Sequence, residues 1–179
     1  MVTEDKPALE EGAIFVKNNV RYLDPSGQLA KRQGLCVIGS AGTDEKVAYL
    51  KNTLGFDAAF NYKTQDKREA LTAAVGPQGL DVYYDLVFDN TVEVALDLLN
   101  THSRIISVGT LGLHQNQDLA AAKNLIHILM KQIRHERYMS HEYYDHWEAW
   151  KDVTLLVKKG KDELDIFPET YELFLQGGY

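Results

Sequence analysis

The sequence predicts an α/β chain built on a doubly wound, mostly parallel sheet. From Gly34 onward, short apolar runs alternate with stretches of helical period, and most of them end in glycine or another turn-forming residue. Strand, helix, strand, helix in that order implies right-handed crossovers, with helices on both faces of the sheet. Residues 35–38 (LCVI) are apolar without alternation, as expected of a strand buried on both sides.

Taken in order, residues 13–16 (AIFV) and 20–23 (VRYL) read as two short strands separated by Asn18-Asn19. Asp24 and Pro25 suit a helix start, as N-cap and first-turn residue. The strand at 35–38 ends in Gly39-Ser40-Ala41-Gly42. Thr43 or Asp44 caps the next helix, which carries Val47, Leu50 and Leu54 on one face and stops at Gly55. A strand at 58–62 (AAFNY), a helix at 65–75 closed by Gly76-Pro77, and a strand at 82–87 (VYYDLV) follow. A helix at 90–99 leads to a strand at 104–108 (RIISV), closed by Gly109. The rest reads as a helix near 119–132, a short strand at Tyr138-Met139, a helix at 145–159 stopped by Gly160, and a short helix at 169–176.

The chain has 179 residues, with 19 Lys+Arg against 26 Asp+Glu and a formal net charge of −7. That length suits a single core able to bury roughly two-thirds of the unfolded surface. With 45% apolar and 25% charged residues, the composition is that of a globular protein. The acidic balance argues against nucleic acid and anionic membrane as main partners. No apolar run approaches the ~20 residues of a membrane span, and no N-terminal signal is apparent. Cys36 is the one cysteine, which excludes an internal disulfide framework and a multi-cysteine zinc site. A reduced, cytoplasmic chain is expected.

In doubly wound sheets, ligands sit outside the carboxyl ends of the strands. The turns at 39–42, 61–63, 86–89 and 109–114 are therefore the places for a site. The 39–42 turn is not a nucleophile elbow, since no triad partners are suggested by spacing. His135, His141 and His146 are six and five residues apart, which does not align a pair on one helical face. No metal site is expected.

The blocks GQLAKRQGLCVIGSAGTDEKVAYLKNTLGFDAAFNYKT, GLDVYYDLV, LLNTHSRIISVGTL and QIRHERYMSHEYYDHWEAWKDVTLLVKKGK stand in this order. Together they resemble the cofactor domain of the zinc-independent medium-chain dehydrogenases/reductases. The branch they resemble is that of the NADP(H)-dependent alkenal and one double-bond reductases, which includes prostaglandin and leukotriene reductases. The upstream LEEGAIFVKNNVRYLDP resembles the opening strands of that family's substrate domain. The resemblance implies residues 1–26 as a remnant of the substrate-domain N-terminus and 27–179 as a Rossmann-like nucleotide-binding domain. On this comparison the chain lacks the family's first cofactor-domain strand with its glycine-rich turn, most of the substrate domain and the final strand.

The implied function is an NADP(H)-dependent oxidoreductase that reduces the C=C bond of α,β-unsaturated aldehydes or ketones, or of a related biosynthetic intermediate. The substrate is a small enone or enal, and a homodimer formed by edge pairing of strands is the implied assembly, with residues 104–108 and the final segment as the edges. The alternative is a degenerate, non-catalytic member that serves as a binding or scaffold module without dinucleotide.

By resemblance, Lys46 is the ligand of the 2′-phosphate. Gly42 and Thr43 belong to the same turn, where amides and a helix N-terminus favour an anion. A solvated lysine beside Asp44 and Glu45 is the alternative. Tyr62 matches the family tyrosine beside the adenosine end, or is a strand-end aromatic with a wet hydroxyl. Gly109 and Thr110 match the turn under the nicotinamide, or simply end a strand. Tyr144 matches a tyrosine near the substrate carbonyl, where its hydroxyl would hydrogen-bond the developing enolate oxygen; the alternative is surface packing ahead of a helix.

Three departures from the family pattern touch the cleft. Asp24 and Pro25 precede the first helix in place of the glycine-rich turn. Asp85-Leu86-Val87-Phe88-Asp89 replaces Asp-Asn-Val-Gly-Gly, so Phe88 and Asp89 stand where glycines admit the cofactor. Arg137 replaces a usual glycine. A doubly wound sheet without its middle strand would bare two edges, so residues 13–23 are expected to fill that slot.

Overall fold

A computed structural model of the chain describes residues 12–17, 25–108 and 124–137. Six strands form one sheet: β1 (Ala13–Lys17), β2 (Cys36–Ala41), β3 (Ala58–Asn61), β4 (Leu80–Asp85), β5 (Leu99–Ser107) and β6 (Arg134–Arg137). Their order is β3-β2-β1-β4-β5-β6, and each neighbouring pair is parallel. Among the described residues, five α-helices accompany them: α1 (Pro25–Arg32), α2 (Asp44–Asn52), α3 (Lys67–Val75), α4 (Thr91–Leu98) and α5 (Ile126–Met130).

The slot expected for residues 13–23 is filled by Ala13–Lys17. This strand pairs with β2 on one side and β4 on the other, and all five of its residues are buried. AIFVK can take that place because Ile14 and Val16 face one layer while Phe15 faces the other. Phe15 lies between two aromatic neighbours, its ring 5.5 Å from that of Tyr83 and 5.9 Å from that of Phe60. Leu71, Val75, Val94, Ala95 and Leu96 of α3 and α4 cover this face. Ala30 of α1, Leu50 of α2 and Phe56 cover the other. Gly27 lets α1 approach closely, since a Cβ there would run into the Phe56 ring.

Several expectations shift in detail. The β2 strand runs on to Ala41, and β5 begins at Leu99 rather than 104. A register shift between Leu80 and Val82 absorbs the extra residues of β5, with His102 at φ 64°. Residues 104–108 were expected to offer a pairing edge. Instead β5 is flanked by β4 and β6, and β6, exposed along its whole length, forms the edge. The expected elements at 20–23, 138–139, 145–159 and 169–176 lie outside the described residues. Among the described residues, no helix is long and apolar enough to cross a membrane.

Candidate functional site

The strand order reverses at β1, with β2 and β3 on one side and β4 onward on the other. In register, Lys17 at the end of β1 stands opposite Ser40 of β2 and Asp85 of β4. The carboxyl ends of the three central strands therefore open at one level, where open α/β sheets bind ligands.

One corner of this rim gathers four residues expected from the sequence. Gly42 follows β2, and a Cβ there would lie 2.9 Å from the Tyr62 hydroxyl and 3.1 Å from Lys63 Cε. Glycine therefore lets the Tyr62 and Lys63 side chains pack against the end of β2. Thr43 is the N-cap of α2, its hydroxyl accepting from the Lys46 amide at 3.4 Å. Tyr62 is tied to β2 through its amide, which donates to the Ala41 carbonyl at 3.1 Å. Asp44 Oδ1 accepts from Asn61 Nδ2 at 2.7 Å. The half-buried Lys46 is left without a carboxylate partner among the described residues. Tyr62 also lines a cavity of about 400 Å³ with Gln65, Lys67, Arg68 and Asn90.

The second corner lies over β1 and β4, and sequence reasoning did not foresee its charge pattern. Lys17 is only 4% exposed. Its ammonium donates to Asp89 Oδ1 and, at 2.6 Å, to Thr91 Oγ1. Lys67 Nζ lies 3.4 Å from Asp89 Oδ2 and 3.0 Å from Asn90 Oδ1. Asp85 Oδ1 accepts from the Val87 and Phe88 amides, each at 2.9 Å, and so shapes the turn. Burial draws the Lys17 ammonium below its ordinary value, and Asp89 and Asp85 draw it part of the way back. Burial would raise the Asp89 carboxyl, but the Lys17 ammonium and hydrogen bonds from Lys17 and Thr91 outweigh it and hold the carboxyl well below the usual range. Asp89 is therefore ionised at neutral pH. No local pattern announces the Lys17–Asp89 pair, because its partners are 72 residues apart.

Gly109, Thr110 and Tyr144 lie outside the described residues. Cys36 opens β2 half-buried, and burial pushes its thiol up, away from the reactive thiolate.

A doubly wound parallel sheet whose strand order reverses at its central strand defines a Rossmann-like α/β protein. More particularly, the chain belongs to the zinc-binding dehydrogenase family, whose profile matches residues 26–159. It is 35% identical over 136 residues to (+)-pulegone reductase of Mentha piperita, a match covering 75% of this chain and 40% of that protein. It is 48% identical over 88 residues to prostaglandin reductase 1 of Rattus norvegicus, covering 48% of this chain and 26% of that one. Among solved structures, CurA from Vibrio vulnificus in complex with NADPH matches with a TM-score of 0.74 and 29% identity, over 84% of this chain and 47% of CurA. These relatives agree with the alkenal and double-bond reductase branch of the medium-chain enzymes. The chain spans less than half the length of each. Despite the family's name, no three His, Cys, Asp or Glu side chains come together for a metal among the described residues.

Proposed function

We propose that this chain binds NADP(H) and serves as the coenzyme-binding part of an oxidoreductase that reduces the C=C bond of α,β-unsaturated aldehydes or ketones. The observation that carries this reading is the corner of Gly42, Thr43, Lys46 and Tyr62. It combines a helix N-terminus, a tyrosine and a cation without a carboxylate partner among the described residues. A 2′-phosphate supplies the missing charge there, and a 2′-hydroxyl does not. Pulegone reductase and prostaglandin reductase 1 are reductases by name, a further relative is named an NADP(+)-dependent 2-alkenal reductase, and CurA was solved in complex with NADPH.

The coenzyme, when bound, supplies a hydride to the β-carbon of the substrate. The chain's own residues orient and neutralise. By the family resemblance, Lys46 and Tyr62 would hold the coenzyme's adenosine end beside Gly42 and Thr43, and Gly109 and Thr110 would contact its nicotinamide end. Tyr144 would donate a hydrogen bond to the oxygen on which enolate charge develops.

The test is titration of the purified chain with NADPH and NADH, followed by nicotinamide fluorescence. A hydrogen bond to a charged group contributes about 1.5–3 kcal/mol, so Lys46→Ala should weaken NADPH by about 10- to 100-fold and leave NADH nearly unchanged. Equal losses for both coenzymes, or no NADPH binding by the unaltered chain, would overturn the reading.

A further inference from the structure

We propose that residues 162–175 of this same chain dock on the exposed apolar face of α5, with their carboxylates set against the basic end of that helix and the edge strand β6. The proposal stands apart from the coenzyme reading above.

The face is the first argument. Leu125, Ile126, Leu129 and Met130 are 51%, 58%, 73% and 71% exposed, and they are the large apolar residues left exposed among the described residues. Single exposed apolar residues are ordinary, but four together on one short helix mark a contact surface. Two adjacent pairs, four residues apart, lie on one side of the helix. The other side is already used. Ile128 packs against the core, and His127 Nε2 lies 3.1 Å from Asp97 Oδ1. The helix is thus fixed to α4 by one side and offers the other.

Charge names the occupant. Lys131, just after α5, donates to the carbonyl oxygens of Leu96 and Asp97, both at 2.9 Å, and these are neutral acceptors. The nearby Asp97 carboxylate is taken by Arg68, Asn124 and His127. Along the exposed β6, Arg134 and Arg137 outnumber Glu136, which lies 3.4 Å from Arg134 Nε. An acidic chain therefore gives this apolar patch a basic border. Residues 162–179 hold Asp162, Glu163, Asp165, Glu169 and Glu172 without a lysine or arginine. The same stretch carries Leu164, Ile166, Phe167, Phe174 and Leu175, so it brings both the charge and the apolar surface that the patch lacks.

Two rivals fit less well. Residues 145–159 bring Trp147 and Trp150, but there Asp145, Glu148 and Asp152 are balanced by Lys151, Lys158 and Lys159. A second copy docking by two-fold symmetry would set the same basic border against itself. Reach is no obstacle. Asp162 follows Arg137 by 25 residues, about 80 Å when extended and about 37 Å when helical, so the segment can return over α5.

The test places a photoreactive p-benzoylphenylalanine at position 129 of the full chain in place of leucine, irradiates it, and maps the products by mass spectrometry. Mixing 15N-labelled with unlabelled chains separates products within one chain from products between two. The expected product joins position 129 to a peptide from 162–175 of the same chain. Its yield should fall about five-fold in Glu163→Lys/Asp165→Lys, the loss expected of two surface ion pairs. The same probe in place of Lys51, exposed on α2 over the other face of the sheet, should not give it. A product with 145–159 in its place, a product between two chains, no product, an equal product from position 51, or a yield indifferent to charge reversal overturns the proposal. If the charge-reversed chain does not fold, about 0.5 M NaCl takes its place, since salt screens exposed charges; an unchanged yield then overturns the proposal.

Discussion

The two corners of the rim use similar side chains in opposite ways. In the first turn of α2, Lys46 stands half-buried, and its neighbour Asp44 accepts from Asn61. At the end of β1, Lys17 is sealed against Asp89 and Thr91, and Lys67 leans on the same carboxylate. The first corner leaves its lysine without a carboxylate partner among the described residues. The second spends its charge on holding the β4–α4 turn against the central strand. A lysine at the rim therefore says little about function until its carboxylates have been located.

The largest expected effect measures this contrast as stability. Removing one member of a buried ion pair leaves the other charge uncompensated, at a cost of about 3–5 kcal/mol when both are fully buried. Asp89 is part-exposed and keeps Lys67 beside it, so Lys17→Met should fall at the lower end, near 3 kcal/mol. Lys46→Met should cost within about 0.5 kcal/mol, as substitutions away from such networks do. Urea denaturation with a common slope gives both numbers. Equal losses would erase the distinction between the corners.

A second, smaller effect follows from Asp89. Its carboxyl is lowered in the folded state, so its contribution is fully present above its unfolded value near 3.8 and is lost as pH falls below that. Asp57 and Asp97 are also lowered, against burial that would raise them, by hydrogen bonds from Lys31 and from Arg68 and Asn124 respectively. Among the described residues, acid sensitivity is therefore shared by three lowered carboxylates, Asp57, Asp89 and Asp97. Asp89→Asn should remove one share, giving a shallower fall in unfolding free energy between about pH 5 and pH 3. Superimposable slopes would mean that the Lys17 pair carries no more ionic stabilisation than the open corner.

The open corner was the legible one, for a physical reason. A strand, a small-residue turn, a cap and a lysine follow each other along the chain, and local chemistry fixes where each lands: Thr43 caps α2 where its residue type predicts. The central position of residues 13–17 was also readable, because an unfilled slot would expose two edges and AIFV was the nearby run able to fill it. The closed corner depends on contacts far apart in sequence. Lys17 reads as a polar strand end, and only the folded sheet brings Asp89 over it. The early start of β5 was hidden as well. Asn100-Thr101-His102 looks like a loop, and a register shift with one left-handed residue turns it into strand.

The smallest effect concerns the turn that supplies Asp89. Phe88 sits at φ 58°, a left-handed conformation that disfavours residues with a Cβ. It stands where the resembled family has glycine, and the backbone has kept the glycine-like shape under a phenylalanine. Phe88→Ala and Phe88→Gly both delete the ring, so the loss of its half-buried contacts cancels between them. Only glycine relieves the backbone, by about 1 kcal/mol after its larger unfolded-state entropy is counted. Thermal or urea unfolding of the two variants should favour Phe88→Gly by that margin. The result also bears on the contrast between the corners. If alanine is as stable as glycine, the turn relaxes freely, and Asp89 is held over Lys17 by charge alone. If glycine wins, the turn is strained in the ion-paired state and is held there by the Lys17 contact.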